Sequence, residues 1–240
     1  MNSFSFFPKL LLPAGLICAC AHLSGAPLLH YHFDSNETVH DPNVVDENIS
    51  AGDFSGGGGF DMPDTTSAVA QSGRSLFSSN DGFFSTDEGG AIDLGRFFLF
   101  TVEIDPGFHA DFSSLSFYTS RREQDNEGIG APQAFSIYSS ADDFDSQIAE
   151  DTIPLRDDNE FTFHEIDLSS VAALQGVEGE VTFRIPLWNP EGIGSPDERR
   201  WRFDELTLEG SVIPEPGSVA LMAGLLCLGW VFVSRKNRAG

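Results

Sequence analysis

The chain is 240 residues long and has three cysteines, Cys18, Cys20 and Cys227, all in its apolar ends. From Pro27 to Ile213 there is none, which excludes a disulfide framework, a cysteine zinc site and a thiol nucleophile in that span. Lysine is missing from the same span. Its only strong cations are nine arginines set against 36 carboxylates, and the whole chain carries a formal charge of -24. Such a surface repels nucleic acid and anionic lipid, so nucleic acid is not expected as a partner. It attracts cations and stays soluble at high ionic strength, because salt screens the self-repulsion. That balance suits salty or extracellular water, or alternatively a calcium-dependent surface. The span has no H-E-x-x-H, G-x-S-x-G or P-loop motif, and no strand, helix and spaced glycines of the kind a dinucleotide needs. With so many carboxylates, close acidic pairs arise by chance and do not argue for a glycosidase. The expectation is a protein that is not an enzyme and needs no cofactor, a structural calcium excepted.

What is present begins at the ends. Lys9 precedes an apolar run from Leu10 to Ala21, about 12 residues, the size of a signal-peptide core and short for a membrane span. Pro8 and Pro13 argue against a buried helix. Ala19-Cys20-Ala21 offers an A-x-A cleavage site, and a second candidate ends at Ala26. A loose lipobox ending at Cys20 is the alternative. Residues 1–26 are therefore expected to be a signal peptide, with signal peptidase and the general secretion machinery as partners.

The far end has three parts: Pro214-Glu215-Pro216, an uncharged stretch from Ser218 to Val233, and the basic cluster Arg235, Lys236 and Arg238. As a helix, the uncharged stretch is about 24 Å long. It reaches a single span with help from snorkelling or a thin membrane. The basic cluster fixes it with the acidic domain outside. Residues 213–240 closely resemble the PEP-CTERM sorting signal of bacterial exported proteins, including Gly224 and Gly229 in the apolar stretch. The resemblance implies that exosortase, a membrane transpeptidase, recognises the tail and cleaves near Pro-Glu-Pro. The protein would be held transiently in the inner membrane, then reach the cell surface or extracellular matrix. A plain C-terminal anchor gives the same topology without processing.

Between the ends, residues 27–212 are punctuated as strands. The candidates are Leu28–Phe33, Arg96–Asp105, Leu115–Thr119, Ala134–Ser139, Phe161–Leu168, Glu180–Leu187 and Trp201–Glu209, short and rich in Phe, Val, Ile and Tyr. In the Glu180 strand, Val181, Phe183, Ile185 and Leu187 face one way. In the Trp201 strand, a phase slip at Asp204-Glu205 predicts a bulge. The Phe161 strand is ambiguous as to which face is buried. Ser169–Leu174 is expected to form one capped turn of helix. No strands are placed over residues 34–74. The fold class that follows is all-β: an antiparallel jelly-roll β-sandwich, flanked by the signal peptide and a single C-terminal transmembrane helix. Four pieces, 28–34, 135–149, 163–189 and 199–216, resemble jelly-roll domains that precede PEP-CTERM tails. That resemblance implies a sandwich shaped like carbohydrate-binding modules, no established activity, and a turn that packs Phe144 inward.

The candidate ligand sites are modest. His30 and His32 lie two apart in a strand and point the same way, alongside Asp34; they form either a metal site or the polar face of an edge strand. Asp142, Asp143 and Asp145 share a turn without EF-hand spacing. Jelly-roll modules often hold a calcium between an early and the last strand, which nominates Asp34 and Asp204. "EGIGAP" at 127–132 echoes "EGIGSP" at 191–196, either as recurring loops or as a sugar-binding rim. For a matrix polysaccharide, Tyr118, Trp188 and Trp201 are the stacking candidates, with the core as their other assignment.

Overall fold

Burial with period two decides where each strand sits. The computed structural model describes residues 25–33, 41–42, 44–58, 66–67, 75–78, 85–122, 131–156, 160–191, 201–215 and 217. The strands are β1 (Ala26–Tyr31), β2 (Val44–Val45), β3 (Ile49–Ala51), β4 (Ser55–Gly56), β5 (Thr66–Ser67), β6 (Ser75–Ser78), β7 (Phe97–Ile104), β8 (Phe108–Arg122), β9 (Ala134–Ser139), β10 (Ala149–Thr152), β11 (Leu155–Arg156), β12 (Thr162–Asp167), β13 (Glu180–Trp188) and β14 (Trp201–Pro214). One α-helix is described end to end, α1 (Glu88–Asp93). In β13, Val181, Phe183, Ile185 and Leu187 are buried, as their alternation predicts, and β7 answers with Phe98, Phe100, Val102 and Ile104. β12 is resolved by its neighbours: His164 and Ile166 point inward and Phe163 outward.

Two antiparallel sheets face each other across one core. The larger runs β12-β8-β14-β1-β2, with β6 also on β14 and a short parallel β11 on β8. The smaller runs β10-β9-β13-β7-β3. The core is mostly phenylalanine. Phe203 lies within 4.8–6.0 Å of the Phe33, Phe54, Phe98 and Phe117 rings, and Phe100 stacks on Phe183 at 4.9 Å. Aromatics bury large areas and gain further from stacked and edge-on contacts, so a ring cluster can hold a sandwich that lacks disulfides.

Several boundaries move. β8 extends the expected Leu115–Thr119 to fifteen residues, because Ala110 and Phe112 continue the buried face after a one-residue slip at Ser113. Gly210 faces that slip; a Cβ there would collide with the Asp111 carbonyl oxygen. β14 runs five residues past its expected end, through Pro214, which pairs with Phe108. The sandwich therefore continues past residue 212 into the Pro-Glu-Pro motif. The bulge predicted at Asp204-Glu205 is present: the register shifts between Asp204 and Thr207, and Glu205 takes φ = 51°. The turn expected over Ser169–Leu174 is a single 3-10 turn, Ala172–Leu174. Phe144 departs from expectation. In a left-handed turn at φ = 61°, it lies half-buried on the outside of the smaller sheet, with the Arg184 guanidinium 4.0 Å from its ring and 4.8 Å from that of Phe97. The cation–π contact with Arg184 accounts for its place outside the core.

Among the described residues, no helix is long and apolar enough to cross a membrane. The expected signal-peptide core and transmembrane stretch lie outside them.

Candidate functional site: the outer face of the larger sheet

Strand pairing sets which side chains share this face. β8 contributes Ser114, Ser116 and Tyr118; β12 places Asp167, Glu165 and Phe163 directly opposite them. On the other side of β8, β14 places Glu209 opposite Ser114, Thr207 opposite Ser116 and Asp204 opposite Tyr118. Cross-strand partners of this kind lie within side-chain contact. The Tyr118 and Phe163 rings are 4.9 Å apart and tilted by 47°, and Phe163 is 50% exposed, one of two large exposed hydrophobic residues among those described. Ser114 Oγ donates to Glu209 Oε2 at 3.1 Å. Beside the pair, Ser113, Ser114, Glu165 and Asp167 line a shallow depression of about 290 Å³. An aromatic platform flanked by hydroxyls and carboxylates can stack on the apolar face of a sugar ring and accept from its hydroxyls.

The other stacking candidates sit elsewhere. Trp188 is 6% exposed and packs in a satellite cluster with Ala91 and Ala134, so its ring offers little surface to a ligand. α1 closes over that end: Asp87 caps it by accepting from the Gly90 backbone N–H at 2.7 Å, and Ala91 packs inward. Two glycines in its first turn hide this helix from propensity reasoning. Trp201 begins β14, and its side chain lies outside the described residues. Of the calcium pair, Asp34 is also outside them. Asp204 is fully buried, and its carboxylate accepts from the Glu205 backbone N–H at 3.0 Å. Of the sorting motif, Pro214 ends β14 and the Glu215 backbone N–H donates to the Gly107 carbonyl at 2.9 Å; Pro216, Arg235, Lys236 and Arg238 are outside the described residues, as is most of each Glu-Gly-Ile-Gly repeat.

The structure supplies partners that the sequence did not suggest. His164 lies at the edge where the two sheets meet, under the Phe117 and Phe135 rings. Its Nδ1 is 3.0 Å from Asp151 Oδ2 on β10, and its Nε2 is 2.8 Å from Thr119 Oγ1 on β8. A carboxylate can only accept, so Nδ1 donates and Nε2 accepts from the threonine hydroxyl. Hydroxyl, imidazole and carboxylate are in the order of a nucleophilic triad. However, Thr119 is 1% exposed and His164 3%, so a substrate cannot reach the hydroxyl. The chain of bonds instead ties one sheet to the other. Burial holds the His164 imidazole below its ordinary pKa, against the opposing pull of Asp151.

Glu205 also went unread, although the phase slip beside it was visible. The bulge turns it onto the outer face, where its carboxylate meets His30 and His32.

No family model matches the chain, and no curated protein matches it. Among solved structures, the tandem CBM22 domains of Xyn10C from Paenibacillus barcinonensis align over 83% of this chain and 50% of that one, at 13% identity and a TM-score of 0.41. The first of those xylan-binding domains alone aligns over 79% of this chain and 97% of its own, at 13% identity and a TM-score of 0.38. The K3 cleaved adhesin domain of Lys-gingipain from Porphyromonas gingivalis aligns over 78% and 100%, at 12% identity and a TM-score of 0.36. These scores carry no argument about ligand or activity; the all-β fold of this chain is established by its own strand pairing.

Proposed function

We propose that this is an exported, non-enzymatic surface or extracellular-matrix protein, sorted and cleaved by exosortase through residues 213–240. The observation that carries the reading is the three-part tail, Pro-Glu-Pro, uncharged stretch and basic stop, in a chain that also opens with a signal-peptide pattern. The sandwich fits the role as a cargo domain. Its larger sheet has the order β12-β8-β14-β1 and its smaller one β10-β9-β13-β7, the connectivity of a jelly roll. β14 runs through Pro214 itself and the Glu215 N–H is held by the Gly107 carbonyl, which supports a reading in which little chain separates the folded domain from the proposed cleavage region. The test is fractionation of cells with and without exosortase. With the enzyme, the protein leaves the inner membrane for the surface or medium; without it, it stays in the inner membrane. Equal release from both strains refutes the reading.

A second, compatible reading is favoured by the exposed Phe163 ring beside the half-buried Tyr118: the ectodomain binds a neutral polysaccharide of the matrix. The strong negative charge disfavours anionic glycans by the same repulsion that excludes nucleic acid. The full chain in detergent, titrated with soluble xylan, β-glucan and β-galactan, is expected to bind at least one of them saturably. Phe163→Ala then weakens binding at least about tenfold, equivalent to about 1.4 kcal/mol, with the melting temperature unchanged because the ring is half exposed. Binding unaffected by Phe163→Ala and Tyr118→Ala rules this face out.

A further inference from the structure

We infer that His30, His32 and Glu205 form a binding site for a divalent transition ion of the zinc class, joining the first strand of the sandwich to the last. This inference stands apart from the polysaccharide and sorting readings. His30, in β1, and His32, just past its end, alternate outward while Leu29 and Tyr31 enter the core, so both imidazoles stand on one face. Their ring centroids are 3.6 Å apart. His30 Nε2 lies 2.7 Å, and His32 Nδ1 2.9 Å, from the same oxygen, Glu205 Oε2. The candidate ligand atoms of the three residues fall within 4.8 Å of one another, and all three residues are half-buried.

Two features single this cluster out from the acidic surface around it. Glu205 is held in the left-handed region at φ = 51°, on a bulge that shifts the register of β14 against β8. Non-glycine residues in that region cluster at functional sites, and bulges commonly re-aim a side chain. Without the bulge, strand alternation would give His30 only Thr207 as its neighbour across the β1–β14 ladder. The second feature is the other carboxylate oxygen, Glu205 Oε1, which is buried and has no hydrogen-bond partner. A buried carboxylate oxygen is costly to leave unpaired, and bidentate or bridging coordination would satisfy it.

The donor set is that of zinc chemistry: two neutral imidazole nitrogens and one carboxylate. Hard cations such as calcium prefer six to eight oxygens, which this cluster does not supply. Tetrahedral coordination with bonds of about 2.0–2.1 Å sets ligand atoms about 3.3 Å apart. An entering ion therefore needs the carboxylate to withdraw by roughly half an ångström, a side-chain movement. The three ligands leave a fourth position for water. His32 and Glu205 are 173 residues apart in sequence. An ion here clips the two ends of the domain together, a staple in a span where cysteine is absent.

The test is calorimetric titration of the detergent-solubilised full chain, free of any histidine tag, with zinc chloride in millimolar calcium, which swamps weak acidic sites. One equivalent is expected, along with a rise in melting temperature that chelator reverses. Glu205→Gln is nearly isosteric and keeps the fold; it and His32→Ala are each expected to weaken zinc at least about 100-fold, while His109→Ala has no effect. Cobalt substituted for zinc gives the visible absorption of a tetrahedral site in wild type and loses it in Glu205→Gln. Absence of a zinc equivalent in the wild type, or an equivalent that survives both Glu205→Gln and His32→Ala, overturns the proposal.

Discussion

Replacing Phe203 by alanine is expected to cost about 3–5 kcal/mol of folding stability, the range for deleting a fully buried phenylalanine ring. For a domain of this size, that lowers the melting temperature by about 6–20 °C. Phe203 is the hub of the aromatic core: its ring stacks on Phe54 and Phe117 and meets Phe33 and Phe98 at an angle, joining β14 to both sheets. The cavity left by alanine is walled by other rigid rings, which have few rotamers with which to collapse into it. Phe163→Ala, on the outer face of β12, is the matched control and leaves stability nearly unchanged. Differential scanning calorimetry of the two variants distinguishes them. Equal losses would mean that the outer ring is packed and the inner one is not the hub.

Acid is expected to weaken the fold through His164. In the native state, burial holds this imidazole neutral and below its ordinary value of 6.5, whereas the unfolded chain takes up the proton at that value. Between the two, the unfolded state binds more protons, so stability rises with pH there. The contribution is fully present above about pH 6.5, and is lost as pH falls through 6.5 toward the lowered native value. Protonation also makes Nε2 a donor, which ends its acceptance of the Thr119 hydroxyl and forces that hydroxyl to turn. His164→Gln keeps an amide in the gap between Asp151 and Thr119 but cannot titrate. The measurement is the denaturation midpoint at pH 7.5 and 5.0. The wild type should lose more stability than His164→Gln between those values. Parallel losses would show that the imidazole is not the titrating group.

Strands that alternate were legible in the sequence, since β7, β12 and β13 differ from their expected bounds by a residue or so; β9, buried on both faces, has its expected bounds as a short apolar run. A buried strand face and a solvent face force period two, and little else mimics it. Where a slip interrupts the period, sequence reasoning stopped early: at Ser113 in β8, and after Glu209 in β14. The bulge at Asp204-Glu205 was visible as a slip, but its consequence was not. Knowing that Glu205 turns toward His30 requires the pairing of the first strand with the last, a contact that no local pattern encodes. Asp151 was hidden for a related reason. β10 reads Ala-Glu-Asp-Thr, an exposed edge strand without a hydrophobic signature, and only the packing of its sheet against β12 brings the carboxylate to His164. Phe163 was left open because the two faces of β12 balance: phenylalanine and two carboxylates on one, histidine and isoleucine on the other.

The domain's own geometry also bears on the proposed processing. Ala26 is already part of the sheet, where it pairs with Gly210, and Gly25 packs closely beside it: a Cβ there would lie 2.5 Å from Ser113 Oγ. Signal-peptide cleavage after Ala21 would keep these contacts, whereas cleavage after Ala26 would remove them and leave β1 to begin at Pro27. At the other end, Pro214 and Glu215 are held by β8 and Gly107, so cleavage on the far side of the motif leaves the sheet whole. Both junctions are read at once by the intact mass of the protein recovered from the surface or medium of cells that have exosortase. The expected mass corresponds to a chain beginning near His22 and ending at Pro-Glu-Pro. A released chain that still carries residues 217–240 would contradict the proposed sorting outright.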